Sequence, residues 1–241
     1  MTYKEYRTPP LLRRHSQGGI MAKLYALDGT DGSGKQTQYE LLVKRLEKEG
    51  KKVFKITFPN YSKPSSSLVK MYLSGEFGQN AGSVSPYVAS TFYAADRYAT
   101  YKTEFEDFYK NEDGIILSDR YVSANMIHQT GKIEDNTKKD RFLEWVYDLE
   151  FNIYGIPKPD KVFFLNMPTD FAIELIKNRE NKFTNGKEKD IHERDKNHLV
   201  HAYNAACYAS KKFGWEEIMC VENNKLKTIE QIHEEIYKRA F

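Results

Sequence analysis

Leu24-Tyr25-Ala26-Leu27-Asp28-Gly29-Thr30-Asp31-Gly32-Ser33-Gly34-Lys35 decides the reading of this chain. A short apolar run stops at a glycine-rich turn. A helix follows, with Tyr39, Leu42, Val43 and Leu46 on one stripe and Gly50 placed to end it. Strand, glycine-rich turn and helix, in that order, are what a phosphate chain needs: glycines admit backbone N–H groups at close range, the helix N-terminus offers donors, and a lysine meets the negative charge. Gly29, Gly32, Ser33, Gly34, Lys35, Gln36 and Thr37 are therefore candidate contacts to nucleotide phosphates, with Lys35 expected to be an exposed loop lysine. The pattern departs from the Walker A form at one point: that form has Ser or Thr directly after the lysine to hold Mg²⁺, and here Gln36 precedes Thr37.

Working outward, Val53 to Phe58 reads as the next strand, ending at Pro59. Ser85-Pro86 is an N-cap with proline at the first helical position, opening a long helix that carries Tyr93, Arg97 and Tyr101. Gly114 to Ser118 is a buried-strand pattern, Lys161 to Asn166 another strand, Asp170 to Arg179 a helix, and Ile218 to Val221 the last strand. Thr228 with Gln231 three residues on has capping-box spacing for a C-terminal helix. Strands alternating with helices predict an α/β fold: a P-loop NTPase-type parallel sheet flanked by helices on both faces.

Composition narrows the class. The chain has 241 residues, favouring one domain. A hydrophobic share of 40% with Tyr 17 and Phe 14 argues against disorder. No apolar stretch approaches the ~20 residues of a bilayer-spanning helix, and mean hydropathy is -0.70. Lys+Arg 37 against Asp+Glu 34 gives +3, spread along the chain, so the charge count points neither to nucleic acid nor to a membrane surface. Cys207 and Cys220, without CxxC or zinc spacing, suggest neither a disulfide framework nor a structural metal, and a reducing cytoplasm is expected. Residues 1–20 carry turn and charge signals without periodicity and read as a flexible extension. Gln17-Gly18-Gly19-Ile20 can be encoded by a purine-rich ribosome-binding sequence, which makes Met21 a candidate start.

A second constellation follows the Gly114 to Ser118 strand, at the strand end where open α/β sheets hold ligands. Asp119 can bind Mg²⁺ directly or through water, and Arg120 can clamp a phosphate bidentately.

Together with the P-loop and its internal Asp31, the stretches Phe58-Pro59-Asn60-Tyr61, Phe92-Tyr93-Ala94-Ala95-Asp96-Arg97 and Asp119-Arg120-Tyr121-Val122-Ser123-Ala124-Asn125 resemble the thymidylate kinase family, from Lys23 to the C-terminus. The resemblance implies a single nucleoside monophosphate kinase domain over residues 21–241. It implies transfer of the γ-phosphate of ATP to dTMP, giving ADP and dTDP, with Mg²⁺, and a homodimer. Lys35, Asp119 and Arg120 would then be catalytic. Asp31 would face the sugar and phosphate of the acceptor, Phe58 would line the base pocket, and Tyr61 would bond the acceptor phosphate. Tyr93 would stack on thymine, Arg97 would donate to a thymine carbonyl one helical turn along, and Asn125 and Gln129 would read the pyrimidine edge.

Three positions depart from the family pattern: Asn60 where arginine is frequent, Ala124 where serine is usual, and His128 where tyrosine often lies beside the sugar. Ala124 and His128 keep open a kinase for another nucleoside monophosphate (dUMP or a ribonucleotide), and Gln36 and Asn60 keep open a nucleotide-binding regulator without turnover. Residues 178–194 are charged and nearly free of apolar side chains, which suits the mobile lid the family carries here. Arg179, Lys182, Lys187, Lys189 and Arg194 are candidate donors, and Asp190 and Glu193 match acidic lid positions. Gly32 stands where some family members carry a P-loop arginine, so the transition-state cation is expected from the lid, with Arg179 ranked ahead of Arg194.

Overall fold

A computed structural model describes residues 21–180 and 196–241. The expected extension over residues 1–20 and the lid from residue 181 onward, including Arg194, lie outside the described residues. Five parallel strands form the central sheet: β1 (Lys23–Asp28), β2 (Val53–Thr57), β3 (Ile115–Asp119), β4 (Lys161–Asn166) and β5 (Glu216–Met219), in the order β2-β3-β1-β4-β5. The sheet is packed on both faces because successive side chains of a strand point to opposite sides. Leu24, Ala26, Ile116 and Val162 enter one core with Phe105, Phe142 and Val146. Tyr25, Leu27, Leu117, Phe163, Leu165 and Ile218 enter the other with Leu42, Leu46, Ile232 and Ile236.

The second core is covered by α1 (Lys35–Lys48) and α9 (Ile229–Ala240). Around the first lie α3 (Pro86–Thr100), α5 (Val122–Thr130) and α6 (Asn136–Tyr147); α2 (Ser67–Ser74), α4 (Glu106–Asn111), α7 (Thr169–Glu180) and α8 (Lys196–Phe213) complete the helices introduced here. The expected caps are present: Ser85 accepts from Val88 N at 3.3 Å, and Thr228 and Gln231 form a reciprocal capping box. Two helices continue into π-helical turns, α3 into Tyr101–Phe105 and α6 into Asp148–Ile153. The last expected strand is divided. β5 stops at Met219, and Val221–Glu222 pairs with Lys225–Leu226 in a small antiparallel hairpin (β6 and β7) turned by Asn223 and Asn224, both at positive φ. Among the described residues, no helix is long and apolar enough to cross a membrane.

Candidate active site

The turn after β1 ends in Gly34, which caps α1 in the left-handed conformation (φ 81) without a side-chain bond to the helix. The N-terminal N–H groups of α1 thus have no side-chain cap to compete with an anion. Gly32, at φ 79, lies so close to α7 that a Cβ there would meet Ala172 O at 2.6 Å and Ile176 Cγ1 at 3.0 Å. A larger residue would be strained in this loop conformation.

Lys35 is not the exposed loop lysine the sequence suggested. It is only 7% accessible, because it folds over the turn and donates to Thr30 O at 2.8 Å. Burial, reinforced by the positive charge of Arg120, lowers its pKa to about 8, while Asp31, Asp28 and Asp119 pull the other way. Gln36 points along the exposed face of α1 and donates to Glu40 Oε1 at 3.1 Å.

Asp31, Phe58, Tyr61, Tyr93, Arg97, Arg120, Asn125 and Gln129, drawn from four separate stretches of sequence, all line one cavity of about 290 Å³. Asp119, Ala124 and His128 line it too. Its polar end is the pair Arg120–Asp31, with Arg120 Nη2 donating to Asp31 Oδ1 at 2.7 Å. Burial works against a charged Asp31, but Arg120, Lys35 and His128 outweigh it and hold the carboxyl well below the usual carboxylate range. Arg120 takes the left-handed backbone (φ 65), and its N donates to Leu27 O at 3.0 Å, fixing it where β3 leaves the sheet.

The base-reading end is more constrained than the sequence implied. Arg97 is 2% exposed, and its Nε and Nη2 each donate to one oxygen of the fully buried Glu150 at 2.5 Å. Nη1 donates to Tyr121 O at 3.4 Å. Of five guanidinium N–H bonds, one on Nη1 and one on Nη2 remain for a ligand. Asn125 Nδ2 also reaches Glu150, at 3.5 Å, and exchanges bonds with Ser90. Gln129 is buried, and among the described residues its Oε1 has no hydrogen-bond partner. A buried acceptor of this kind asks for a donor from a ligand or water.

Asn60 is hydrogen-bonded within the protein. Its Nδ2 donates to Glu104 Oε1 at 3.0 Å and Thr100 Oγ1 at 3.4 Å, while the Asn60 N–H donates to buried Asp96 at 2.8 Å. These bonds pin the turn after β2 to α3. Arg179 lies in the last turn of α7, the helix that presses on Gly32.

Sequence reading missed Asp28, Glu150 and His198. Asp28 is wholly buried at the end of β1 and accepts from Ser123 Oγ at 2.7 Å and Gly29 N at 3.1 Å, tying the P-loop to α5; burial raises its pKa. An acid closing an apolar strand just before a glycine was a usable signal. Glu150 and His198 carried none, since their partners are 53 and 70 residues away.

Two oxygens bear on a divalent cation. Asp119 Oδ1 and Ser33 Oγ are both buried without a hydrogen bond among the described residues. Among the described residues no cluster of three or more metal-ligating side chains occurs. A single carboxylate supplemented by substrate phosphates and water is the donor set Mg²⁺ takes in phosphoryl-transfer sites, so Asp119 fits that ion.

Comparison with known proteins agrees with this geometry. The family model for thymidylate kinase matches residues 27–236. A thymidylate kinase of Mycobacterium tuberculosis is 32% identical over 173 residues, covering 71% of this chain and 78% of that protein. A probable thymidylate kinase of Pyrobaculum aerophilum is 31% identical over 154 residues, covering 64% and 69%. The solved thymidylate kinase of Candida albicans, described as having broad substrate specificity, superposes with a TM-score of 0.66 at 20% identity over 91% of each chain, a likeness of fold. With a phosphate-binding turn, an arginine-carboxylate pair and a base-sized cavity joined in that order, the chain belongs to the thymidylate kinase family.

Proposed function

We propose a division of labour among these residues for the family's reaction, the ATP-dependent phosphorylation of dTMP to dTDP, which this chain catalyses. The observation that carries it is the convergence of the acceptor residues on one cavity beside Lys35 and the uncapped end of α1. Phosphoryl transfer asks a protein for positioning and cations more than for a strong nucleophile. Gly29, Gly32, Ser33, Gly34, Lys35, Gln36 and Thr37 hold the phosphates of ATP through backbone N–H groups and the lysine. Arg120, held in place by Asp31, binds the acceptor phosphate together with Tyr61. Tyr93 and Phe58 bracket the thymine ring, the two remaining N–H bonds of Arg97 meet a carbonyl, and Gln129 Oε1 accepts the ring N–H, with Asn125 beside it.

Asp119 would hold Mg²⁺, which would supply positive charge to offset that of the phosphates. Arg179 supplies the cation that stabilises the transferring group, in support of which its helix packs on the P-loop at Gly32. The exposed Tyr87, Val88 and Tyr98 on α3 suit a homodimer contact, and the free thiols of Cys207 and Cys220 suit a cytoplasmic enzyme.

Ala124 and His128 line the acceptor cavity, so the competing reading is a different acceptor. Coupled ADP-release assays with dTMP, dUMP and the uridine and cytidine monophosphates decide it. The reading expects the highest kcat/KM with dTMP. A higher value for any other acceptor would replace dTMP as the substrate.

A further inference from the structure

A second cavity, of about 320 Å³ against about 290 Å³ for the acceptor cavity, lies on the other side of α5. Val122, Ser123 and Met126 line it, whereas Ala124, Asn125 and His128 line the acceptor cavity, and no residue lines both. Its further walls include Lys161 and Glu216, where β4 and β5 begin, while the acceptor cavity takes Thr57 and Asp119 from the ends of β2 and β3. Phosphoryl transfer as assigned above uses none of the groups around this second space.

Aromatic rings make much of its wall. Tyr147 and Phe213 lie parallel, 2° apart with centroids at 5.8 Å, and Phe213 and Trp215 nearly so, 18° apart at 6.4 Å. Together with Phe151 these side chains stay half-buried, because they surround a space instead of filling one. A row of rings set at one orientation favours a flat guest, whose face or edge meets the ring quadrupoles, over an aliphatic one of equal volume. The size lies at the lower end for small-molecule sites and suits a fused pair of rings.

The polar groups of the wall select the charge. Asp160 is paired with Lys23 at 3.2 Å and accepts from Leu24 N at 2.9 Å. Glu216 lies 3.7 Å from Lys161 and 3.6 Å from Arg239. Lys158 differs: its Nζ donates to Tyr147 Oη at 2.7 Å and lies 4.5 Å from the centre of that ring, with no carboxylate partner among the described residues. An ammonium has three N–H donors, so two remain. Both carboxylates are already offset, and the charge left over is a single positive one, which matches a carboxylate better than a phosphate monoester with its charge of about −1.5 to −2.

We propose that this cavity is a second ligand site, taking a planar aromatic carboxylate: the rings lie along Tyr147, Phe213 and Trp215, and the carboxylate accepts from Lys158 Nζ.

The probe is 2-naphthoate, titrated into the full chain with and without dTMP at a concentration that fills the acceptor cavity. The chain has two tryptophans, Trp145 and Trp215, whose indole N–H signals in ¹H–¹⁵N spectra are told apart by Trp145→Phe and Trp215→Phe; calorimetry gives the Kd. The expected result is a saturable shift of the Trp215 signal with a Kd of about 1 mM or tighter, unchanged by dTMP. The neutral isostere 2-naphthalenemethanol should bind about fivefold more weakly, and Lys158→Met, at an exposed position, should erase that difference. No saturable shift of Trp215, displacement by dTMP, equal binding of the alcohol, or a Lys158→Met variant that keeps the preference would overturn the inference. Trp215 lies outside the acceptor cavity, so failure of the dTMP reading would leave this readout intact.

Discussion

Glu150, which does not line the cavity, grips Arg97, which does, with two carboxylate oxygens against Nε and Nη2 at 2.5 Å and neither side chain more than 2% exposed. Burial works against the charge on Arg97 and Glu150 restores it, leaving the guanidinium more firmly protonated than usual. Because the pair is dry, removing one partner strands the other. Glu150→Ala should therefore cost about 3–5 kcal/mol in urea unfolding, and Arg97→Ala should do the same in addition to any loss of substrate binding.

That coupling makes Tyr93 the cleaner probe of the base site. It is half-buried at the wall of the cavity and touches Tyr72 edge-on. Tyr93→Ala should weaken dTMP by about 1–3 kcal/mol, the usual worth of an aromatic ring stacked on a base, and leave ATP affinity nearly unchanged. Isothermal titration with each nucleotide checks this, and equal loss for both would remove Tyr93 from the acceptor site.

Lys35 gives a pH signature. Its pKa of about 8 lies below the ordinary lysine value, so the charged, phosphate-binding form is lost as pH rises through about 8. The profile of kcat/KM for ATP, which reports the free enzyme, should fall on its alkaline side near that value. Lys35→Ala should abolish turnover while the circular dichroism spectrum is retained, because among the described residues the lysine side chain's one hydrogen bond is to the carbonyl of Thr30 within the same turn.

Arg179 sits in the last turn of α7, whose Ala172 carbonyl abuts Gly32. Replacing a catalytic arginine in phosphoryl transfer costs about 10³–10⁵ in kcat. Arg179→Ala should lower kcat about a hundredfold, below that range because other cations flank the same phosphates, and change ATP affinity much less. Retention of kcat in this variant together with its loss in Arg194→Ala would move the role along the chain to Arg194.

Most of the fold was legible because it rests on local rules. Apolar runs of strand length, the glycine turn before Lys35, Pro86 after Ser85 and the Thr228–Gln231 capping box are all read within a few residues. The cavity-lining residues were legible as motifs. What supports them was not. Glu150 stands on a π-helical turn 53 residues from Arg97, and His198 stands 70 residues from His128, so only the folded chain brings them together. Lys35 looked exposed because a glycine-rich turn reads as surface, whereas the turn wraps the side chain and buries it. The division of the last strand after Met219 escaped because Ile218 to Val221 is uniformly apolar, and the hairpin turn at Asn223 and Asn224 lies just beyond it.

The central claim, that this cavity presents dTMP to the γ-phosphate of ATP, is tested most directly by following the label from ATP radiolabelled at that phosphate. The account predicts that with Mg²⁺ and dTMP the label appears in dTDP, that omission of dTMP leaves it in ATP, and that Lys35→Ala transfers none. Label released as inorganic phosphate whether or not dTMP is present, or retained in ATP throughout, would contradict it.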